Sequence, residues 1–191
     1  MKIMMCIENM NIKNNNGSYS MFNEDQIISN FYGNKIANRS GVRLMNHIDE
    51  GLRILEKIGA SEIAKRAYCL HPILQSDKEI SENYNLLKNI DNQVVIALVE
   101  YRSVANEYLS RKKINSIDDI RLSPLSDVND MLIADKVQNK KDFELYHKRK
   151  HERSDELTKY FDNWLKRLGV PDYFYDFCFD ELKDEKLNDE K

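Results

Sequence analysis

The chain has 191 residues, 32% of them charged and 41% hydrophobic, with a formal net charge of -3; this is enough chain for one domain with a full hydrophobic core and too polar for a membrane-embedded one. The slight acidity gives no reason to expect general attraction to nucleic acid, and no apolar run approaches the roughly 20 residues needed to cross a bilayer. Cys6, Cys69 and Cys178 are odd in number with no Cys-x-x-Cys pair, so neither a disulfide framework nor a thiolate zinc site is indicated, and a reducing cytoplasm is the expected compartment.

Residues 1–20 are rich in Asn, Ser and Met and read as an N-terminal arm, with a turn at Asn14 to Gly17 and room for a short strand before it. Met1 to Ile7 starts like a secretory leader, but Glu8 and the asparagines interrupt it, which argues against secretion. Residues 21–180 form the expected helical domain and 181–191 a charged tail. With only 6 Gly and 3 Pro, and almost no β-branched alternation, the fold class is all-α.

Asn23 caps a first helix that ends near Gly33. A second begins after Ser40-Gly41 and carries Leu44, Ile48, Leu52, Leu55 and Ile58 to Gly59. Ser61 opens a third, with Ile63, Ala67, Leu70 and Leu74 on its stripe; Pro72 ends or kinks it and pushes His71 away from helical geometry. Gln75 to Asn92 is a polar connector with a short helix over 82–90. A long helix follows over 91–112, with Val95, Leu98, Val99, Arg102, Ala105 and Leu109 on one broad face. After a loop or single turn over 114–121, Ser123-Pro124 supplies the N-cap and first position of a helix striped by Leu125, Val128, Leu132 and Asp135. Beyond Lys140 a charged helix runs through Phe143, Leu145, Leu157, Phe161, Trp164 and Leu168 to Gly169. Asp172 to Asp180 then forms an amphipathic helix with an acidic ridge of Asp172, Asp176 and Asp180. Its aromatic residues are expected to pack on the core, a homodimer or partner surface being the other reading.

Polar residues on apolar stripes need partners, because burying an unpaired ionisable group costs several kcal/mol. His71, Arg102 and Asp135 break their stripes in this way. His47 lies beside the Leu44 to Ile48 stripe, and Gly51, one turn on, is expected to leave room for its ring. Two imidazoles and a carboxylate suit Zn, Mn, Fe or Ni. The other reading is a buried network without metal, Arg102 pairing with Asp135. His147 and His151 share a helix face at i and i+4, but they stand among Lys148, Arg149, Lys150 and Arg153, whose charge opposes a cation; that stretch reads as a solvated face rather than a metal or phosphate site.

The sequence order of His47, His71 and Asp135 in an all-α chain, with Asn46-His47-Ile48, Ala67-Tyr-Cys-Leu-His71 and Ile133-Ala134-Asp135-Lys136 around them, resembles the HD-domain superfamily of metal-dependent phosphohydrolases over roughly residues 40–140. The resemblance implies a single HD-like helical bundle in which His47, His71 and Asp135 hold one divalent transition metal ion (Zn, Mn, Fe, Co or Ni). It also implies a nucleotide or related small phosphate ester as substrate. The family's His-Asp dipeptide is His71-Pro72 here, and a proline cannot bridge two metals, so a binuclear centre is not expected. Glu50 is then the candidate general base, and Arg102, Arg43 and Lys136 are candidates to neutralise phosphate charge. Tyr101 and Asn106 are candidates to contact a base or sugar, Tyr101 having a place in the core as its other reading. Two alternatives stay open: a catalytically reduced protein that binds a nucleotide or protein partner without turnover, and a helical interaction protein whose histidines are only structural. The Asn-, Lys- and Ile-rich usage is compatible with an AT-rich bacterial or phage genome.

Overall fold

The computed structural model describes residues 23–38, 40–110 and 114–183. The expected arm over 1–20, its strand and Cys6 lie outside these residues, as does the tail beyond Lys183. Among the described residues every regular element is helical, apart from an isolated antiparallel bridge between Ile36 and Arg43. The α-helices are α1 (Asn23–Tyr32), α2 (Met45–Lys57), α3 (Glu62–Leu70), α4 (Asp77–Asn83), α5 (Asn92–Ser110), α6 (Ser126–Asp142), α7 (Ser154–Arg167) and α8 (Asp172–Lys183). Three 3-10 turns cover His71–Leu74, Tyr84–Leu87 and Ile117–Asp119, and a π-helical turn covers Phe143–His147. No described helix is long and apolar enough to cross a membrane.

The architecture is built around α6, which packs on α2, α3, α5, α7 and α8. A helix so surrounded buries residues on every side: Val128, Met131, Leu132, Ile133, Ala134 and Val137 are buried, and so are Asp130, Asp135, Lys136, Gln138 and Lys141. The α3 helix, capped by Ser61 accepting the Ala64 N–H, lies between α1, α2, α5 and α6. Fully buried Ile, Leu and Phe side chains such as Ile54, Leu55, Leu70, Ile73, Leu98 and Phe174 each contribute about 1.5–3 kcal/mol.

Several boundaries differ from expectation. In the connector, Ser76 and Glu79 form a reciprocal capping box that starts α4 at Asp77, so the helix precedes the expected 82–90 and only a 3-10 turn follows. On α5 the core face is Val94, Ala97, Leu98, Tyr101 and Val104, while Val99 is exposed; the apolar residues surround this helix too fully for their spacing to set its rotation. α6 starts at Ser126, not at Pro124, because the Ser123 hydroxyl accepts the Leu125 N–H and its backbone pairs with the Asn129 amide. The expected continuous helix from Lys140 to Gly169 breaks at Lys148–Arg153. There the Lys148 N–H reaches back to the Phe143 carbonyl and the Ser154 hydroxyl donates to the Lys148 carbonyl. The break falls on a run of seven polar residues, His147 to Arg153, with no apolar face to hold it against the core. α8 buries Phe174, Tyr175, Cys178 and Leu182, leaves Tyr173 and Phe177 exposed, and carries its aspartate ridge outward.

Candidate metal centre

His47 enters on the first turn of α2, His71 at the junction of α3 with its 3-10 turn, and Asp135 from the middle of α6. Pro72 occupies the start of that 3-10 turn, where no intrahelical N–H is required of it. His71 therefore keeps helical geometry (φ -57°, ψ -33°), contrary to the expectation from the proline alone. The Nε2 atoms of His47 and His71 are 3.0 Å apart, and Asp135 Oδ1 is 3.7 Å from the first and 3.9 Å from the second. A triangle with these sides has a circumradius of about 2.1 Å, the length of a bond from a zinc-like ion to nitrogen or oxygen. These residues are the group among the described ones whose ligand atoms cluster in a way that could hold a metal.

The orientation of both rings is fixed from behind. His71 Nδ1 lies 2.6 Å from the Tyr68 carbonyl, and His47 Nδ1 lies 2.6 Å from Gln138 Oε1. The Gln138 amide cannot be turned round, because its Nε2 donates to Glu50 at 2.9 Å and to Asp142 at 2.8 Å. Each imidazole thus donates through Nδ1 to an oxygen, and in the neutral ring the lone pair is left on Nε2. Two lone pairs facing each other at 3.0 Å repel unless a proton or a cation lies between them. Burial, reinforced by the neighbouring His47 ring, lowers the His71 pKa to about 3, which disfavours the proton there. Burial alone would raise the Asp135 carboxyl, but Lys136, His47 and His71 outweigh it and bring the pKa down to about 2. Its oxygens accept from Lys136 Nζ and from Asn139 Nδ2, both at 2.7 Å.

The remaining expected residues are distributed around this cluster rather than in it. Glu50 is buried, but its carboxylate is held by Lys141 Nζ at 2.7 and 2.9 Å as well as by Gln138, so it supports His47 from behind instead of facing the cleft. Arg102 pairs with Asp77, not Asp135, and Asn106 donates to the Gln75 carbonyl at 3.2 Å. Together they tie α5 to the segment that follows His71. Arg43 is exposed on the isolated bridge. Lys136 is buried against Asp135 with its ammonium over the Tyr160 and Trp164 rings, which commits it to the carboxylate. Tyr101 is buried beneath His71, their ring centres 5.1 Å apart. Gly51 leaves room for the Tyr68 ring, which an added Cβ would penetrate, rather than for His47.

A cleft of about 400 Å³ opens over the cluster and is lined by His47, His71, Asp135, Asn139 and Asp142 together with apolar Leu44, Phe143, Leu157 and Phe161. Gln138, Asn139 and Asp142 were missed in the sequence, yet they follow Asp135 at i+3, i+4 and i+7 and so continue its helix face. His147 and His151 also line this cleft. Comparison of the chain with protein-family models, with curated proteins and with solved structures finds no match.

Proposed function

We propose that this chain is a metal-dependent phosphohydrolase in which His47, His71 and Asp135 hold one divalent transition metal ion (Zn, Mn, Fe, Co or Ni) and the adjoining cleft takes a nucleotide or related small phosphate ester. The observation that carries the reading is the convergence of three ligand atoms about 2.1 Å from a common point, with both histidines presenting Nε2 lone pairs. A donor set of two imidazole nitrogens and one carboxylate oxygen suits these ions and leaves coordination positions open. Such an ion supplies Lewis acidity toward a phosphoryl oxygen and acidifies a water.

The chain's own residues do the rest. Gln138 and the Tyr68 carbonyl orient the imidazoles, and Lys136 balances the charge of Asp135. Leu44, Phe143, Leu157 and Phe161 give the cleft apolar lining suited to a base. Asp142 lines the cleft where Glu50 does not, and takes the proton-accepting role while its carboxylate is held by Lys141 and by Gln138, each at 2.8 Å. Pro72 leaves no carboxylate next to His71, consistent with one ion rather than two.

The test is metal analysis of the purified full chain, followed by phosphate release from a panel of nucleotides after loading with each ion. The expected result is one tightly held ion per chain and turnover that disappears in Asp142→Asn, while His47→Ala loses the ion. Absence of metal uptake together with absence of hydrolysis would sink the proposal. Metal and nucleotide binding without phosphate release would establish the second reading, a binder without turnover; the engagement of Glu50 by Lys141 is the observation that favours it.

A further inference from the structure

A second cleft, of about 490 Å³, adjoins the break between α6 and α7 and is lined by Tyr146, His147, Lys150, His151, Glu152 and Arg153. His147 and His151 line both this cleft and the one over His47, His71 and Asp135, so the two are contiguous. Although the chain is acidic overall, Lys148 to Arg153 contains four lysines and arginines against one carboxylate. Lys148 lies 3.8 Å from Glu144 and Arg153 pairs with Glu156, whereas Lys150 is exposed and makes no ion pair among the described residues. The His151 ring accepts the Arg153 N–H on Nδ1 at 3.1 Å, which leaves Nε2 as the N–H that can donate. A donor ring beside an unpaired ammonium attracts an anion and repels a metal ion. Consistently, the metal-competent cluster among the described residues contains neither His147 nor His151. The π-helical turn that delivers this segment to the cleft is a rare geometry, frequent at functional sites.

We infer that His147, Lys150, His151 and Arg153 form a second anion subsite, which takes a phosphate group of the ligand other than the one bound at His47, His71 and Asp135. The ligand is therefore a phosphate ester with at least two phosphate groups, either a nucleoside polyphosphate or two nucleotides joined through phosphate. The position of the first phosphate rests on the metal-centre reading; the subsite itself does not. Lys150 supplies positive charge, His151 a directed N–H, and the shared histidines the continuity that lets one ligand span both clefts.

The experiment is calorimetric titration of the full chain with inorganic triphosphate and with orthophosphate, in chelator and after metal loading. The proteins are the native chain, Lys150→Ala/His151→Ala and His47→Ala. In chelator the native chain and His47→Ala should both bind triphosphate in preference to orthophosphate. Lys150→Ala/His151→Ala should bind triphosphate at least about tenfold more weakly, the equivalent of one charge-assisted hydrogen bond, while its melt stays cooperative, Lys150 being exposed and His151 only half-buried. Equal triphosphate affinity in the native and doubly substituted chains overturns the subsite. If no metal is taken up yet triphosphate binding still depends on Lys150 and His151, the subsite stands and the hydrolase reading falls. Titration of the metal-loaded native chain with a nucleoside monophosphate, a nucleoside triphosphate and a dinucleotide then separates the ligand sources. A monophosphate that binds as tightly as both others overturns the two-phosphate requirement.

Discussion

Gln138 carries more of the candidate site than any residue that touches the central cavity by charge. Its oxygen holds His47 Nδ1 while its amide nitrogen bridges Glu50 and Asp142, so one side chain sets a ring tautomer and spaces two carboxylates. Gln138→Leu keeps the bulk but removes all three bonds. Metal affinity should fall about 10- to 100-fold, the usual effect of losing a partner behind a ligand, and stability in chelator should fall by about 1–3 kcal/mol for the stranded polar groups. A competition titration against a chromogenic chelator reads the first and a denaturant melt the second; unchanged metal affinity would show that Gln138 does not hold His47 in place. Gly51 has a comparable role through shape. Since a Cβ at 51 would enter the Tyr68 ring, Gly51→Ala should destabilise by about 1–3 kcal/mol. Displacing Tyr68 also moves the carbonyl that holds His71, so metal affinity should fall with it. Gly51→Ala/Tyr68→Leu should recover part of the stability but not the stacking of Tyr68 on His71, whose ring centres are 4.6 Å apart in the native chain. A Gly51→Ala protein that melts like the native one refutes the close approach.

At the scale of elements, α6 concentrates ionisable groups inside the fold: Asp130, Asp135, Lys136 and Lys141 are all buried. Lys141 is 1% exposed at its side chain and pairs with Glu50 and with Asp142, so Lys141→Met leaves the buried Glu50 carboxylate and its neighbour Asp142 uncompensated and should cost about 3–5 kcal/mol. Glu50→Leu/Lys141→Met should recover the Glu50 part of that loss in a denaturant melt; a double variant no better than Lys141→Met would refute the pairing. Helix α8 docks through another such contact, the Tyr175 hydroxyl donating to Glu144 at 2.6 Å. Burial opposes ionisation of Glu144, but Lys140 and Tyr175 prevail and hold its pKa below the usual 4.5. The folded-state pKa is below the unfolded one, so this contribution is present above pH 4.5 and is lost as the pH falls through the folded value. Tyr175→Phe should therefore show a shallower loss of stability than the native chain across that acid range, measured by melts at stepped pH. The element types and the three metal-ligand candidates were legible because capping residues and apolar stripes announce helices, and because histidines and an aspartate on such stripes require partners. The rotation of α5 was not legible, since apolar residues on every side leave the phase open, and Arg102 was assigned inward on that account. The partner of Glu50 was hidden for a related reason: Lys141 lies on a helix whose polar and apolar residues are both inside, so no amphipathic pattern marks it as buried.

On the scale of the whole molecule, the site exists only when distant parts of the chain have packed, as the 91-residue separation of His47 from Gln138 shows. A ligand that binds this assembled cluster and not the unfolded chain must stabilise the entire domain. Trp164, the one tryptophan, is fully buried on α7, with Lys136 Nζ 5.4 Å from its ring centre. Its fluorescence therefore reports α7 leaving α6, while far-ultraviolet circular dichroism reports helix content everywhere. With free metal at 100 times its dissociation constant, linkage adds about 2.7 kcal/mol, or about 5–10 °C in a domain of this size. Both probes should move together, because the ion stabilises the packed core rather than one helix, and the denaturant dependence should stay unchanged because the surface exposed on unfolding is the same. His47→Ala removes one ligand from a partly exposed position and leaves Lys136 paired with Asp135, so its melt in chelator should remain cooperative while the metal-induced shift is lost. An equal shift in the native chain and in His47→Ala would place the ion elsewhere. A shift in circular dichroism without one in Trp164 fluorescence would show that the ion stabilises part of the fold and not the core around α6.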